Sequence, residues 1–287
     1  MFQIENEQLV AQVKAQGAEL CSLKSQKYEY IWQADPQHWA RHTPVLFPIV
    51  GKLKENSFVH EGKKYELSQH GFARDMVFEK YTHTKNQIWF VLKTTPETSQ
   101  KYPFDFCLKI GYELIENQLI THYLVENTST QKMYFSIGGH PAYRCPFYEK
   151  TQRNEYHLEF ERKENAEKHL LEGSFFSGKT EKCLENTAIL PLSDTIFDND
   201  ALVFKNLASK KVSLYHQNKQ VWSFHFPNFP YLGIWSKSQD SPFVCIEPWF
   251  GLADSVDANG EISQKEGIIA LNPRQIFKCS YTLEIFE

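Results

Sequence analysis

The chain has 287 residues, 41% of them hydrophobic and 15% aromatic, and its formal net charge is −4. This length suits one large core, and the lack of a basic stripe excludes a protein that neutralises nucleic-acid phosphates. No stretch approaches the roughly 20 apolar residues that a membrane span requires, so we expect neither a nucleic acid nor a membrane as partner.

The first residues, MFQIENEQLV, show no basic start, no long apolar run and no small-residue cleavage site, so we predict no signal peptide. The six cysteines are scattered and include no C-x-x-C pair; they are Cys21, Cys107, Cys145, Cys183, Cys245 and Cys279. This pattern is typical of reduced thiols and not of a disulfide framework or a zinc site. It predicts a cytoplasmic protein.

Two segments carry helical patterns, and hairpins lie between them. The segment DPQHWARH offers Asp35 as a cap and Pro36 in the first turn, and KENAEKHLLEG at residues 163–173 offers a second helix. Two strand-like stretches read as hairpins that turn at residues 85–87 and 116–118. The sequence therefore predicts few helices, and these are short.

Strand patterns dominate the rest of the chain. The run LITHYLVEN alternates, with one face formed by Leu119, Thr121, Tyr123 and Val125. A third hairpin turns around Asn218. Because turn signals recur about every ten residues, we predict about 20 strands in an all-β fold, a large antiparallel sandwich. No linker or repeat divides the chain, so a single domain over residues 1–287 is expected.

The segment FSIGGHPAYRCP presents a histidine in an unusual setting. Gly138 and Gly139 allow backbone angles closed to other residues, and Pro141 forbids continued ladder pairing. We therefore expect a strand to end at His140 and the imidazole of His140 to point into a functional site. A lone histidine at a strand end is more often a structural hydrogen-bonding group than a catalytic one.

The segment PFVCIEPWFGLADS places a carboxylate directly after an apolar strand. Phe243–Ile246 is continuously apolar, and Glu247 follows it with Trp249 nearby. Burial against an aromatic ring should raise the pKa of this carboxyl towards a value useful to a general base. Glutamate seldom follows a fully apolar strand unless a partner satisfies it.

Other polar residues also stand beside predicted strands. His70 and Arg74 flank the Gly-Phe-Ala step of SQHGFARD, and Asp198 and Asp200 precede Ala201–Phe204. The ordinary alternatives are a surface ion pair for Arg74 and turn formation for the two aspartates. Loops carried on a rigid sheet are common places for sites.

Metal, nucleophile and nucleotide sites receive weaker support. His38 and His42 have the spacing of two ligands on a helix, but Trp39 occupies the place of the glutamate found in zinc proteases. Cys145 follows His140 closely, yet no orienting group for a Cys-His pair is evident. No phosphate-binding glycine motif is present, so a nucleotide is not indicated. Together with the missing third metal ligand, this leads us to expect no metal and no cofactor.

Three motifs in this order, HGFARD, GGHPAYRCP and IEPWFGLADS, resemble the aldose 1-epimerase (galactose mutarotase-like) family, in the branch often found with bacterial lactose-use genes. The segments GAELCSLKS and PVLFPIVGKLK extend the similarity over nearly the whole chain. The resemblance implies a large β-supersandwich fold, an isomerase activity and a small-molecule sugar as partner. It leaves a monomer and a homodimer equally open.

The resemblance also implies roles for single residues. His140 would be the general acid and Glu247 the general base, and His70 and Arg74 would bind the sugar. Asp200 would bind a hydroxyl, although Asp198 remains an alternative. Many relatives have arginine where this chain has Lys52, and lysine offers a point charge in place of a planar fork.

Interconversion of α and β anomers requires opening of the hemiacetal ring. A base takes the proton of the C1 hydroxyl while an acid gives one to the ring oxygen, and we expect Glu247 and His140 to do so from opposite sides. The alternatives are a sugar-binding protein without catalysis, a hexose-phosphate mutarotase, and a glycosidase or lyase that pairs Asp200 with Glu247.

Overall fold

The computed structural model describes residues 1–286 and is built almost entirely of strands. The strands are β1 (Phe2–Glu5), β2 (Val10–Val13), β3 (Leu20–Lys24), β4 (Val45–Leu46), β5 (Ser57–His60), β6 (Lys63–Glu66), β7 (Glu79–His83), β8 (Gln87–Lys93), β9 (Phe106–Ile115), β10 (Gln118–Asn127), β11 (Met133–Phe135), β12 (Ile137–Gly139), β13 (Ala142–Arg144), β14 (Tyr156–Glu172), β15 (Phe175–Pro191), β16 (Leu202–Lys205), β17 (Lys211–His216), β18 (Lys219–His225), β19 (Tyr231–Trp235), β20 (Phe243–Phe250), β21 (Ile269–Leu271) and β22 (Ile276–Ile285). The α-helix of the described residues is α1 (Pro96–Lys101), and short 3-10 helices are Lys54–Asn56, Ala73–Asp75, Arg153–Glu155 and Ile262–Gln264.

Fifteen strands form one antiparallel sheet, which confirms the predicted all-β supersandwich. Thirteen of them follow the order β4-β12-β20-β19-β16-β14-β17-β18-β22-β10-β9-β8-β7, while β13 pairs with β20 and β15 pairs with β14. Three small sheets hold β1–β3, β5 with β6, and β11 with β21. No helix in the described part of the chain has the length and apolar character of a membrane span.

All three hairpins predicted from turn signals are present. β7 pairs with β8, β9 with β10, and β17 with β18, each across a short turn. In β10 alternate residues are buried, and Leu119, Thr121, Tyr123 and Val125 share the buried face. The period of two in the sequence therefore identified the buried face of this strand.

Both predicted helices are wrong. Residues 35–42 form only a turn, in which Asp35 accepts a hydrogen bond from the backbone N–H of Gln37 at 2.9 Å. Residues 163–172 lie in β14, which pairs along its length with β15 through several register shifts, and Gly173 lies in the turn between the two strands. Cross-strand pairing between two 17-residue strands overrides the local helical preference of this segment.

The β12 strand shows why glycine is required beside the predicted site. It ends at Gly139 before His140, as expected, but Gly138 and Gly139 have ordinary negative φ angles. An added Cβ at Gly138 would lie 2.6 Å from Trp249 Cδ1, and one at Gly233 would lie 2.5 Å from Trp249 Cη2. These glycines supply space for the indole of Trp249, and an unusual backbone angle is not their reason.

Candidate functional site

A cavity of about 260 Å³ opens above β12, β19 and β20. It is lined by all six residues named from the sequence: Lys52, His70, Arg74, His140, Asp200 and Glu247. The fold thus brings together side chains that are up to 195 positions apart, from 52 to 247.

The register of β12 and β13 on β20 fixes the His140–Glu247 pair. β12 pairs Gly138 with Trp249, and β13 pairs Ala142 with Cys245, so that His140 lies directly opposite Glu247 in the same register. His140 Nε2 is 3.2 Å from Glu247 Oε2. Cross-strand neighbours on one face of a sheet are close by construction, and this pair needs no loop to bring it together.

Two expectations about this pair were wrong. Glu247 does not end its strand, because β20 continues through Pro248 to Phe250. The two side chains also do not face each other across the cavity, since opposed residues of paired strands project on the same side. They form one contiguous acid–base unit on the cavity floor.

Burial controls the protonation of the pair. It lowers the pKa of His140 to about 3, helped by the charges of Arg74 and Arg41. It raises the pKa of Glu247 well above its usual range, helped by the charge of Asp200. Because the ionised form of each group is disfavoured by loss of water, the pair as a whole holds one proton around neutral pH.

Several polar atoms beside the cavity have no hydrogen-bond partner within the protein. They are His140 Nδ1, Glu247 Oε2, Trp249 Nε1 and Arg74 Nε, and each is buried. The indole of Trp249 lies near the Glu247 carboxyl and partly offsets the rise in its pKa, although Nε1 and Oε2 do not meet hydrogen-bond geometry. Unsatisfied buried polar groups are costly, so such a cluster indicates a place for a polar ligand.

Three tryptophans surround the pair, and the sequence analysis did not assign any of them to the site. Trp39 stacks on His140 with ring centroids 4.8 Å apart, and Trp235 meets the same imidazole edge-on at 5.6 Å. Trp249 packs against Gly138 of β12 and Gly233 of β19, and it lines the cavity. The high aromatic content was the signal that could have found them, because aromatic faces suit sugar rings.

The loop that carries His70 is fixed against β4. Gly71 has a φ of +71°, and a Cβ there would lie 2.3 Å from the carbonyl oxygen of Phe47. The backbone N–H of Gly51 donates to His70 Nδ1 at 3.1 Å. Burial lowers the pKa of His70 well below its usual value, helped by His140 and Arg74. The neutral ring therefore carries its proton on Nε2, because Nδ1 already accepts a hydrogen bond.

Arg74 lines the cavity from the Ala73–Asp75 turn. Its guanidinium donates to the carbonyl of Gln69 at 2.8 Å and lies 3.7 Å from the Asp75 carboxylate. Burial lowers its pKa to about 10, which leaves it charged at neutral pH. The surface ion pair considered from the sequence exists, but Arg74 Nε, its nearest atom to the carboxylate, is too far from it for a hydrogen bond.

The remaining predicted residues form the rim. Asp200, and not Asp198, lines the cavity, and its carboxylate accepts the backbone N–H of Ala201 at 2.7 Å. Lys52 lies over the ring of Phe175 with Nζ 5.6 Å from the centroid. Phe175 belongs to the β14–β15 hairpin, whose tip also contributes Leu171, Ser174 and Phe176 to the cavity. The erroneous helix over residues 163–173 concealed this hairpin tip.

A buried ion pair links the rim segments. Lys265 Nζ lies 2.6 Å from Asp254 Oδ1, and both side chains are almost fully buried. The backbone of Asp254 donates to the carbonyl of Lys52 and accepts the N–H of Phe176, each at 2.9 Å. Its Oδ2 accepts the N–H of Lys54 at 2.8 Å. Asp254 thus joins the Lys52 loop to the hairpin tip.

The structure disfavours two alternatives from the sequence, a Cys145 nucleophile and an Asp200–Glu247 glycosidase. Cys145 is buried outside the cavity lining, and burial raises its pKa to about 12, which disfavours a thiolate nucleophile. His140 lies within the cavity, contrary to the arrangement expected of an Asp200–Glu247 glycosidase. Among the described residues, His140, Cys245 and Glu247 form one group with mutual spacing suited to a metal ion, and Glu19, Cys21 and His42 form another.

Comparison with known proteins identifies similar chains over the full length of this one. The family model for aldose 1-epimerase matches residues 1–270. Two proteins of Lactococcus lactis subsp. lactis, the chromosomal and plasmid forms of Protein LacX, are 32% and 31% identical over 297 aligned residues, covering 100% of this chain and 99% of each relative.

Solved structures share the fold over its full length. The galactose mutarotase related enzyme of Lactobacillus acidophilus has a TM-score of 0.95 and 34% identity, covering 100% of this chain and 97% of that one. A galactose mutarotase-like protein of Lactobacillus casei ATCC 334 has a TM-score of 0.94 and 30% identity, with full coverage of both chains at 100%.

Proposed function

Because this chain belongs to the aldose 1-epimerase family, in the branch that includes the LacX proteins, we propose that it interconverts the α and β anomers of hexoses. The single observation that carries this proposal is the His140–Glu247 pair, with Nε2 and Oε2 3.2 Å apart at the floor of a cavity. Binding alone has no need of such a pair.

The two oxygens that exchange protons in this reaction are bonded to the same carbon of the sugar. Adjacent acid and base groups on one side can therefore reach both of them. Glu247 takes the proton of the C1 hydroxyl, and His140 gives a proton to the ring oxygen as the C1–O5 bond breaks. Rotation about C1–C2 exposes the other carbonyl face, and the reversed transfers close the ring.

This cycle requires the proton of the pair to reside on His140 when the ring opens. In the water-depleted cavity the neutral forms are favoured, with the proton on Glu247. Sugar hydroxyls that donate to the carboxylate lower the cost of its charge, and the proton then passes from Glu247 Oε2 to His140 Nε2, two atoms that lie 3.2 Å apart. Position and protonation state together provide general acid–base catalysis.

The surrounding residues suit a polyhydroxylated ring. His70 presents an Nε2–H donor, Arg74 offers an unused Nε–H, and the Asp200 carboxylate accepts hydroxyl protons. Trp39 and Trp235 supply aromatic surface for the C–H faces of the sugar.

Charge at the rim favours neutral aldoses over sugar phosphates as substrates. Of the cations near the motifs, Lys52 and Arg74 line the cavity, whereas Lys54 donates to the carbonyl of Val256 and Arg144 lies outside the lining. Asp200 counters part of the field of the two that remain. A phosphate site concentrates positive charge more strongly than this.

The experiment compares anomerisation of freshly dissolved α-glucose, α-galactose and glucose 6-phosphate by polarimetry, in chelator-treated buffer at low and moderate salt. We expect faster equilibration of the free sugars with little salt dependence. A requirement for a divalent ion would contradict the mechanism. A phosphate preference that fades with salt would overturn the substrate class and assign Lys52 and Arg74 to the phosphate.

A further inference from the structure

His140, Glu247 and Cys245 offer three different metal-binding atoms in one place. A ring nitrogen of His140, Cys245 Sγ and a Glu247 carboxylate oxygen all lie within 4.8 Å of one another. No sequence spacing indicates this group, because His140 is more than a hundred positions from the other two. The strand register creates it, since His140 opposes Glu247 and Cys245 precedes Glu247 by two residues on the same face.

The separation of the nitrogen and oxygen atoms matches tetrahedral coordination. Zinc bound at about 2.0–2.1 Å to each of two such atoms holds them about 3.3–3.4 Å apart at tetrahedral angles. The observed distance between Nε2 and Oε2 is 3.2 Å. Imidazole, thiolate and carboxylate are all zinc ligands, and three protein ligands leave a fourth position open, as in catalytic zinc sites.

A second observation points to a ligand here. Glu247 Oε2 is buried without a hydrogen-bond partner, on a side chain only 3% exposed. A sugar hydroxyl could satisfy this oxygen, but the acid–base cycle makes no use of the buried Cys245 thiol behind it. An ion approaching through the cavity meets His140 and Glu247 first, and Cys245 closes the site from the buried side.

The charge balance of the cluster also permits a dication. With the histidine neutral, the glutamate protonated and the thiol protonated, the three side chains carry no net charge. Burial raises the pKa of both the Cys245 thiol and the Glu247 carboxyl, so the ion itself must displace their protons to solvent. The result is thiolate, carboxylate and Zn²⁺, again with no net charge. Arg74 and Lys52 at the cavity wall oppose the ion, while Asp200 favours it.

We propose that His140, Cys245 and Glu247 form a zinc-binding site with its open position towards the cavity, and that zinc bound there inhibits the enzyme. Inhibition follows because the ion occupies the lone pairs of both groups that transfer protons. The inhibition rests on the proposed function, whereas the binding of zinc does not.

Binding is tested with Co²⁺ as a spectroscopic probe on chelator-treated protein. We expect one Co²⁺ per chain, a near-ultraviolet thiolate-to-cobalt charge-transfer band, and loss of that band on addition of Zn²⁺. Cys245→Ser should abolish the band. The matched control Cys21→Ser should keep it, because Glu19 of the second group already pairs with Lys14 and accepts two backbone N–H groups. Absence of the band in the parent protein, or its persistence in Cys245→Ser, would overturn the site.

Inhibition is tested by anomerisation assays in the same preparations. Zinc should slow the parent enzyme and EDTA should restore it. Cys245→Ser, which retains His140 and Glu247, should keep its turnover in EDTA and require about tenfold or more zinc for half-inhibition. Equal zinc sensitivity of the two proteins would contradict the role of Cys245. If no sugar is turned over at all, the proposed function fails while the cobalt result still decides the site.

Discussion

The floor and the rim of the cavity are held in place by different parts of the fold. His140 and Glu247 form the floor, and Lys52, Ser174 and Asp200 form the rim. Pairing of β12 and β13 with β20, near one end of the large sheet, fixes the floor in register. Loops and the β14–β15 hairpin tip form the rim, where Asp200 is exposed and Lys52 is half-buried. The floor therefore carries strongly shifted pKa values, and the rim contributes shape and charge.

This difference indicates that the floor carries out proton transfer and that the rim binds the sugar. Burial between strands provides the desolvation that tunes an acid–base pair, and strand register keeps the two groups together without loop ordering. We therefore expect changes on the floor to lower turnover and changes on the rim to raise KM.

The largest effect is expected on the floor. Glu247→Gln and His140→Asn should each lower kcat by about 10²-fold or more, since each removes one proton-transfer group while preserving shape. Polarimetry with α-galactose measures this loss. The matched controls Glu97→Gln and His157→Asn, away from the cavity lining, should keep normal turnover. Near-normal turnover in Glu247→Gln would place the base elsewhere.

Substitutions of His70 and Arg74, which line the cavity wall, should have a smaller effect on activity. His70→Ala and Arg74→Ala should raise KM by about tenfold or more, because each removes a hydrogen-bond donor from bound sugar, and charged donors contribute about 1.5–3 kcal/mol. Initial rates over a range of sugar concentrations separate KM from kcat. A loss confined to kcat would show that these residues act on the proton transfer and do not hold the sugar.

Removal of the Asp254–Lys265 ion pair, which links the rim segments, should have a smaller effect still. Asp254→Asn alone leaves Lys265 buried without a counter-charge, at a cost of about 3–5 kcal/mol, so the informative variant is Asp254→Asn with Lys265→Met. We expect this double variant to fold, to raise KM a few-fold and to leave kcat nearly unchanged. Faster hydrogen exchange at the Phe176 amide would report the loosened hairpin tip, whatever the activity.

An unchanged KM together with an unchanged Phe176 amide would show that the backbone contacts of residue 254 are enough to hold the rim. A large fall in kcat would instead show that the ion pair supports the floor, and it would remove the distinction between the two regions.

The smallest effect concerns stability. The folded-state pKa of Glu247 is raised above its usual value of 4.5, so as pH rises above that value the unfolded chain loses a proton that the folded chain retains. The free energy of unfolding therefore falls with rising pH, by at most about 1.4 kcal/mol per pH unit. Glu247→Gln removes this penalty.

Thermal or urea unfolding of the parent and Glu247→Gln at about pH 5 and about pH 8 checks this expectation. The stability of the variant relative to the parent should increase between the two values. A constant difference would mean that Glu247 is already ionised in the folded protein, which would point to a charged pair with His140.

The sequence by itself determined the strands and the chemical identity of the site. Period-two alternation identified the buried face of β10, and turn residues located three hairpins, because both signals are local. The strand break at His140 was predicted from the Gly138-Gly139 pair and Pro141, although the two glycines have ordinary backbone angles. The motifs also supplied the six residues that line one cavity, and their roles stay predictions until the variants are measured.

Only the tertiary structure decided how these residues meet. The helix expected over residues 163–173 is a strand because it pairs with β15, a partner that no local pattern reveals. The register of β12 and β13 on β20 set His140 against Glu247 and brought Cys245 beside them. Long-range strand pairing and burial are collective properties of the folded chain, and they fixed the geometry and the protonation that the motifs left open.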